Sequence, residues 1–173
     1  PIENGFQTAI MAPTEILARQ HYETLTPFAE ALGLSINLLT GKGRKADKEK
    51  IYKAAAAGEI QILIGTHALI QDDLQFQKLG FVVIDEQHRF GVDQRLRLSQ
   101  KGHHVDCLSM TATPIPRTLM LASYGDLDTS QLREKPAGRK PIQTNAVSNA
   151  RLVEVVEGIK RAASKGDKVF WVC

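Results

Sequence analysis

Cysteine is scarce in this sequence, which has only Cys107 and Cys173 among its 173 residues. The two lie far apart, without a CxxC pair or a histidine at metal-ligand spacing, so a disulfide-stapled scaffold and a zinc finger are excluded. No apolar run reaches the roughly 18–20 residues that a membrane-spanning helix requires, and the first residues do not resemble a signal peptide. We therefore expect a cytoplasmic protein with reduced thiols and no membrane partner.

The charge imbalance is also small, because the formal net charge is only +3. Residues 42–53 nevertheless carry six basic and two acidic side chains, whereas the rest of the chain is slightly acidic. Such a segment is typical either of a solvated helix face or of a phosphate-binding patch, and the sequence leaves both interpretations open.

What the sequence has is a regular alternation of apolar and amphipathic segments, with 43% hydrophobic and 24% charged residues. Short apolar runs alternate with helical patterns of period 3.6, and the run 81–84 is apolar throughout, as expected for a strand buried on both faces. This order predicts an α/β fold with a mostly parallel sheet and helices on both faces. The predicted strands span 6–11, 34–40, 60–64, 81–84 and 107–110, and the helices span 14–32, 44–57 and 92–101.

The segment 134–141 is predicted to be a linker, because it combines two prolines, one glycine and four charges. We expect one domain over 1–133 and the start of a second over 142–173. Before the linker the pattern predicts a helix over 116–123 and a strand over 127–132. After it the pattern predicts a strand over 142–147, a helix over 150–164 and a strand over 169–173.

The most chemically informative cluster is Asp85-Glu86-Gln87-His88, which directly follows the most hydrophobic predicted strand. Ligands of parallel α/β folds bind outside the carboxyl ends of the strands. An aspartate at that place suits Mg²⁺, which prefers one or two carboxylates together with phosphate oxygens and water. A neighbouring glutamate can hold a water for attack on a phosphoryl group. An acidic pair at a strand end is also common as a solvated turn.

Three other predicted strands are followed by turns rich in hydroxyls or free backbone N–H groups. These turns are 12–18, 65–70 and 111–118. Each opens a helix, which makes it a natural position for a phosphate oxygen, although each alone is more typical of an ordinary helix cap. Their common order around Asp85 favours one shared ligand site.

Taken together, these motifs resemble superfamily-2 nucleic-acid helicases and translocases, which include the DEAD/DEAH-box proteins. MAPTEILARQH resembles motif Ia, GTHALI motif Ib, VVIDEQH motif II and TATPIPRT motif III, so the resemblance covers nearly the whole chain. DEQHRFGVDQR followed by TATPIPRT more narrowly resembles bacterial double-stranded DNA translocases. The resemblance implies a RecA-like P-loop NTPase helicase domain that uses ATP and Mg²⁺.

The resemblance also implies roles for individual residues. Asp85 would help to hold Mg²⁺ with ATP, and Glu86 would orient or deprotonate the attacking water. His88 would couple the nucleotide state to the grip on DNA together with Thr111 and Thr113. The residues that would line the track of the DNA backbone are Pro13, Thr14, Arg19, Thr66, His67 and Arg117.

The phosphate loop of this family, GxxxxGK followed by Ser or Thr, does not occur in the chain. Motifs V and VI are missing as well, and the first residue is Pro1 rather than methionine. We therefore expect an excerpt of a longer bacterial protein, truncated at both ends, that hydrolyses ATP negligibly by itself. The parent protein is expected to be monomeric. The strand 107–110 is expected to lie at a sheet edge.

Three functions are compatible with these residues. The first is an ATP-driven translocase that remodels stalled replication forks and branched recombination intermediates in DNA repair. The second is a transcription-repair coupling translocase that removes stalled RNA polymerase. The third is a non-catalytic DNA-binding module, although such a module would have no need to keep Asp85, Glu86 and His88.

Overall fold

The structure, a computed structural model, divides into two compact units, Pro1–Gly125 and Asp126–Cys173, which are described separately. The predicted linker 134–141 falls inside the second unit, and its role as a linker stays a prediction. None of the helices in the described part of the chain is long and apolar enough to cross a membrane. The structure describes residues 1–42, 44–113, 128–134, 138 and 141–172.

Strands and helices alternate along the described part of the first unit in the predicted order. All the predicted elements up to residue 110 are present, with ends that differ from the predicted ones by a few residues at most. The elements are β1 (Gln7–Met11), α1 (Glu15–Ala31), β2 (Ile36–Leu39), α2 (Lys45–Ala56), β3 (Ile62–Gly65), β4 (Leu79–Ile84), α3 (Val92–Ser99) and β5 (Asp106–Ser109).

The five strands form one parallel sheet in the order β2-β3-β1-β4-β5. The first strand in the sequence is thus the central one. Its Thr8 is in register with Ile62 of β3 on one side and with Phe81 of β4 on the other. Because all the strands run the same way, their carboxyl ends meet at one edge of the sheet.

Helices cover both faces of the sheet, as predicted. Ala9 and Met11 of β1 point into a cluster that also contains Ala55 of α2 and Leu98 of α3. Ile10, the residue between them, belongs to a second cluster that includes the inner face of α1. Alternate residues of one strand therefore enter two separate cores, which explains why the consecutive residues 9–11 are all apolar. These findings confirm the predicted α/β class.

Local signals define the ends of α1. The Thr14 hydroxyl accepts a hydrogen bond from the backbone N–H of Leu17 at 3.2 Å, which satisfies one of the free donors of the first turn. Gly33 follows the last turn with φ of 66°, a left-handed conformation that side chains disfavour. The helix is thus fixed at both ends and begins immediately after the carboxyl end of β1.

β5 lies at the outer edge of the sheet. Among the described residues it pairs with β4 alone, and Asp106, Cys107 and Leu108 are exposed. The expectation that this strand forms a sheet edge is confirmed for the described part of the chain. Its free side presents unpaired backbone N–H and C=O groups.

The second unit contains one α-helix among its described residues, α4 (Leu152–Ser164), preceded by a 3₁₀ turn at Asn149–Arg151. The predicted strands 142–147 and 169–173 are wrong where they are described, because 141–148 and 167–172 have no regular structure. An extended segment becomes a strand only when a neighbour satisfies its backbone groups, and the described residues of this unit provide none.

Two further predictions concern the region around residue 120. The predicted helix 116–123 and its Arg117 lie outside the described residues. The predicted strand 127–132 is wrong over 128–132, which are exposed and have no regular structure.

Candidate nucleotide and nucleic-acid site

The turns that follow β1, β3, β4 and β5 are held together by backbone hydrogen bonds at the carboxyl edge of the sheet. The N–H of Ala12, just after β1, donates to the carbonyl of Gly65 at 2.9 Å. The N–H of Gln87, just after β4, donates to the carbonyl of Met110 at 3.0 Å. The motifs that the sequence separates by up to a hundred residues therefore form one continuous edge.

Asp85 is held at this edge through its backbone and through both side-chain oxygens. Its N–H donates to the carbonyl of Met11 at 2.9 Å, which continues the ladder between β1 and β4. Oδ1 accepts the N–H of Glu86 at 2.9 Å, and Oδ2 accepts a hydrogen bond from His21 Nε2 at 2.7 Å. The side chain is 19% exposed, so it remains open to a ligand on one side.

Glu86 has an unusual backbone conformation, with φ of 49° and ψ of 51°. A non-glycine residue in the left-handed region is uncommon, and such strain concentrates at functional sites. Its Oε2 atom is buried and has no hydrogen-bond partner among the described residues. The nearest cation candidate, His88 Nδ1, lies 3.4 Å from that oxygen, which is too long for a well-formed bond. A carboxylate oxygen left without a donor is suited to hold a water molecule.

His88 and the two threonines after β5 form a chain of polar contacts. Thr111 Oγ1 lies 3.5 Å from His88 Nδ1 and 3.1 Å from Thr113 Oγ1. The first distance is at the limit of a hydrogen bond, so the contact is loose in this state. The structure thus brings together the three residues that the resemblance assigns to coupling.

Apart from Arg117, which lies outside the described residues, the residues assigned to the DNA track occupy the same edge but differ in exposure. Pro13 and Thr14 lie between β1 and α1, and Arg19 is exposed on α1. Thr66 is only 2% exposed at the end of β3, so His67, which is exposed, presents its side chain to solvent instead. A DNA backbone that follows this edge would meet the Thr14 and His67 turns first.

The basic segment 42–53 begins at this edge as well, because it follows the carboxyl end of β2. Lys42 lies 3.5 Å from Glu15, and Lys48 donates to the carbonyl of Gly41 at 2.6 Å. The other four cations are exposed and make no ion pair with any described residue. We name them the basic quartet: Arg44, Lys45, Lys50 and Lys53.

The site fits a magnesium–nucleotide complex better than a metal held by protein alone. Among the described residues, no group of three His, Cys, Asp or Glu side chains is arranged to hold a metal ion. Magnesium does not need such a group when phosphate oxygens and water complete its shell. One oriented carboxylate at Asp85 and the unsatisfied Oε2 of Glu86 match that requirement.

Sequence reasoning assigned no role to His21 and missed its contact with Asp85. It also missed the left-handed backbone of Glu86. No local pattern indicates either feature, and the first depends on how α1 packs against the sheet. The sequence signal that could have indicated the contact is a lone histidine on an otherwise apolar helix face, shortly after the turn 12–18.

Comparisons with known proteins agree with this geometry. The DEAD/DEAH box helicase family matches residues 1–122. The ATP-dependent DNA helicase RecG of Synechocystis sp. is 48% identical over 169 residues, which are 98% of this chain and 20% of that protein. RecG of Thermotoga maritima is 49% identical over 170 residues, 98% of this chain and 22% of its own length. The chain thus spans about a fifth of the length of these curated relatives.

Solved structures give the same result. The structure of RecG bound to a three-way DNA junction is similar to this chain, with a TM-score of 0.75 and 47% sequence identity. The match covers 94% of this chain and 22% of the RecG chain. The Hef helicase domain of Pyrococcus furiosus shares the fold, with a TM-score of 0.51 over 70% of this chain at 15% identity. The similarity to RecG confirms the narrower resemblance to bacterial DNA translocases. Since the family match covers most of its residues, the chain belongs to the DEAD/DEAH box helicase family.

Proposed function

We propose that this chain is part of an ATP-dependent DNA translocase of the RecG type, acting on branched or double-stranded DNA such as stalled forks and recombination junctions. The observation that carries the proposal is the convergence of Asp85, Glu86 and His88 with Thr111 and Thr113 at one sheet edge. The RecG relatives, one of them described as bound to a three-way DNA junction, support this choice of substrate.

Magnesium and ATP are the proposed cofactors. Asp85 would hold the metal through water, and Glu86 would position or deprotonate the water that attacks the terminal phosphate. The metal supplies charge neutralisation at the phosphates when bound. The Glu86 side chain is 31% exposed beside Asp85, which supports its assignment, because a base needs a lone pair within reach of a water.

His88 would report the nucleotide state to the DNA-binding side. Its Nδ1 atom lies 3.4 Å from Glu86 Oε2 and 3.5 Å from Thr111 Oγ1. Both contacts are long, so a small change at the phosphates can tighten one at the expense of the other. Thr113 extends this connection by a 3.1 Å contact with Thr111.

DNA would be held by its backbone and without regard to sequence. Pro13, Thr14, Arg19, Thr66 and His67 lie along one edge, where hydroxyls, backbone N–H groups and cations suit phosphate oxygens. The basic quartet would add contacts beyond the end of β2. We further propose that the parent protein is a monomer in the bacterial cytoplasm.

The test uses the full-length product of the reading frame that encodes this chain. ATP hydrolysis is measured with a forked duplex and without DNA, in the wild type and in Glu86→Gln. We expect stimulation by the fork and a loss of roughly 10²–10⁴-fold in turnover for E86Q, the range typical for a removed general base. Glu23→Gln, on the exposed face of α1, is the matched control and should leave turnover unchanged.

Three results would contradict the proposal. One is a full-length wild type that shows no DNA-stimulated hydrolysis, which would favour the non-catalytic DNA-binding alternative. Another is an E86Q variant that turns over at the wild-type rate. The third is hydrolysis that depends on RNA polymerase rather than on branched DNA, which would favour the transcription-coupling alternative.

A further inference from the structure

We propose that His21 is a positioning residue for ATP hydrolysis, which fixes the orientation of the Asp85 carboxylate toward the nucleotide-bound magnesium ion. The inference rests on the proposed function and adds to it a residue outside the helicase motif that contains Asp85. Its basis is the 2.7 Å contact between His21 Nε2 and Asp85 Oδ2.

The two Asp85 oxygens are held by two different donors. Oδ1 accepts the backbone N–H of Glu86 at 2.9 Å, and Oδ2 accepts His21 Nε2–H. An ionised carboxylate only accepts hydrogen bonds, so His21 carries its proton on Nε2 in this contact. With one hydrogen bond on each oxygen, rotation of the carboxylate plane is blocked. The remaining lone pairs are the ones left for metal-bound water.

Without His21 only one of these restraints remains. The Glu86 N–H belongs to the residue next to Asp85 and restrains a single oxygen. His21 comes from α1, which packs on the other side of the strand end, so it is the restraint contributed by tertiary structure. A metal ligand is commonly oriented by a partner of this kind, whose loss typically lowers metal affinity 10–100-fold.

A purely structural role explains the contact less well. The side chains of His21 and Asp85 are 28% and 19% exposed, so water can replace either partner in the contact. Partly exposed charged pairs contribute little to stability. The effect on the orientation of Asp85 should therefore exceed the effect on folding.

The position of His21 also connects two parts of the proposed machinery. α1 is capped by Thr14 and carries Arg19, both proposed DNA contacts, and its His21 contacts Asp85. A shift of α1 on binding DNA would change the orientation of the metal-holding Asp85 carboxylate through this hydrogen bond. The 2.7 Å contact is thus a direct connection between the DNA-binding helix and the metal site.

The experiment compares three substitutions in the full-length protein. His21→Leu removes the donor at similar size, His21→Gln keeps an N–H donor at similar reach, and His21→Asn keeps an amide too short to reach Asp85. Gln20→Leu, at the exposed neighbouring position, is the matched control. Urea unfolding of every variant separates folding defects from functional ones, and H21N keeps the test informative if H21L does not fold.

Two measurements are made. The first is the Mg²⁺ dependence of ATP hydrolysis, in which H21L and H21N should raise the half-saturating Mg²⁺ concentration about tenfold, equivalent to 1.4 kcal/mol. Turnover at saturating Mg²⁺ should fall much less. The second is the binding of Mn²⁺ with ADP, followed by electron paramagnetic resonance, which should weaken by a similar factor. H21Q and Q20L should stay near the wild type in both.

Equal defects in H21L, H21N and H21Q would overturn the inference, because they would show that any change at this position is harmful. Wild-type affinity for Mn²⁺ with ADP in H21L and H21N would overturn it as well, while leaving the proposed function intact. A wild-type protein that binds no Mn²⁺ with ADP would instead overturn the proposed function and this inference with it.

Discussion

The side-chain amide of Gln7 hydrogen-bonds to three separate segments at the amino-terminal side of the sheet, opposite the functional edge. Its replacement should therefore destabilise the whole first unit. The side chain is 3% exposed. Its Nε2 donates to the carbonyls of Ala55 at 2.9 Å and Ile60 at 2.8 Å, and its Oε1 accepts the N–H of Lys78 at 2.9 Å. Gln7→Met keeps the length of the side chain and removes all three hydrogen bonds.

The size of the effect follows from what each former partner retains. The Ala55 carbonyl keeps other hydrogen bonds, from the N–H groups of Gly58 and Gln77. The Ile60 carbonyl is buried, and the Lys78 N–H is partly buried, so both lose a partner that water replaces poorly. At about 1–3 kcal/mol for each buried group left unsatisfied, the expected loss is about 3 kcal/mol.

Urea unfolding of the 173-residue chain, followed by circular dichroism, measures this loss. With m-values of about 1–3 kcal/mol/M, the unfolding midpoint should fall by roughly 1–3 M. Gln20→Met makes the same chemical change on the exposed face of α1 and should stay within about 0.5 kcal/mol of the wild type. A loss below about 1 kcal/mol for Q7M would refute the reasoning, since it would show that the three bonds are replaced without cost.

Four other changes test separate parts of the structure. Thr14→Ala should lower the free energy of unfolding by about 1 kcal/mol through loss of the helix cap, and Thr14→Ser should restore it. Gly65→Ala should prevent folding or greatly lower the free energy of unfolding, because the new Cβ would lie 2.4 Å from the Leu39 carbonyl oxygen. The control Gly91→Ala, whose Cβ would meet nothing within 4 Å, should leave stability unchanged. Thermal melts measure both. Replacing the basic quartet by glutamine should weaken DNA binding, and the slope of log K against log salt concentration should fall by about 0.9 for each DNA phosphate that is no longer neutralised. An unchanged slope would show that the quartet is a solvated face that does not contact DNA. The 173-residue chain alone should hydrolyse ATP negligibly, and a DNA-stimulated rate matching the full-length protein would contradict this.

The sheet could be predicted from the sequence because burial on both faces leaves a strong local pattern. Residues 81–84 are apolar at every position, and the structure places them in β4 near the middle of the sheet. Parallel strands then bring their carboxyl ends together. The position of Asp85 and of the turns near Thr14, Thr66 and Thr111 follows from that rule alone.

Features that depend on how elements pack could not be predicted in this way. The contact between His21 and Asp85 joins residues far apart in sequence, and the burial of Gln7 depends on where α2 ends. The predicted strand over 142–147 was wrong because the local sequence favoured a structure that the surroundings do not support. Its residues favour extended structure, but the described part of the second unit offers no neighbouring strand.

The central place of β1 has a consequence for the order of folding. Thr8 leaves the ribosome before its partners Ile62 and Phe81, which follow only after two helices and further strands have been made. β1 cannot pair with β3 or β4 until those long loops close, and such non-local pairing slows folding. We therefore expect the sheet to assemble late and in one cooperative step, with nascent chains that end before β4 exposing an apolar strand to chaperones.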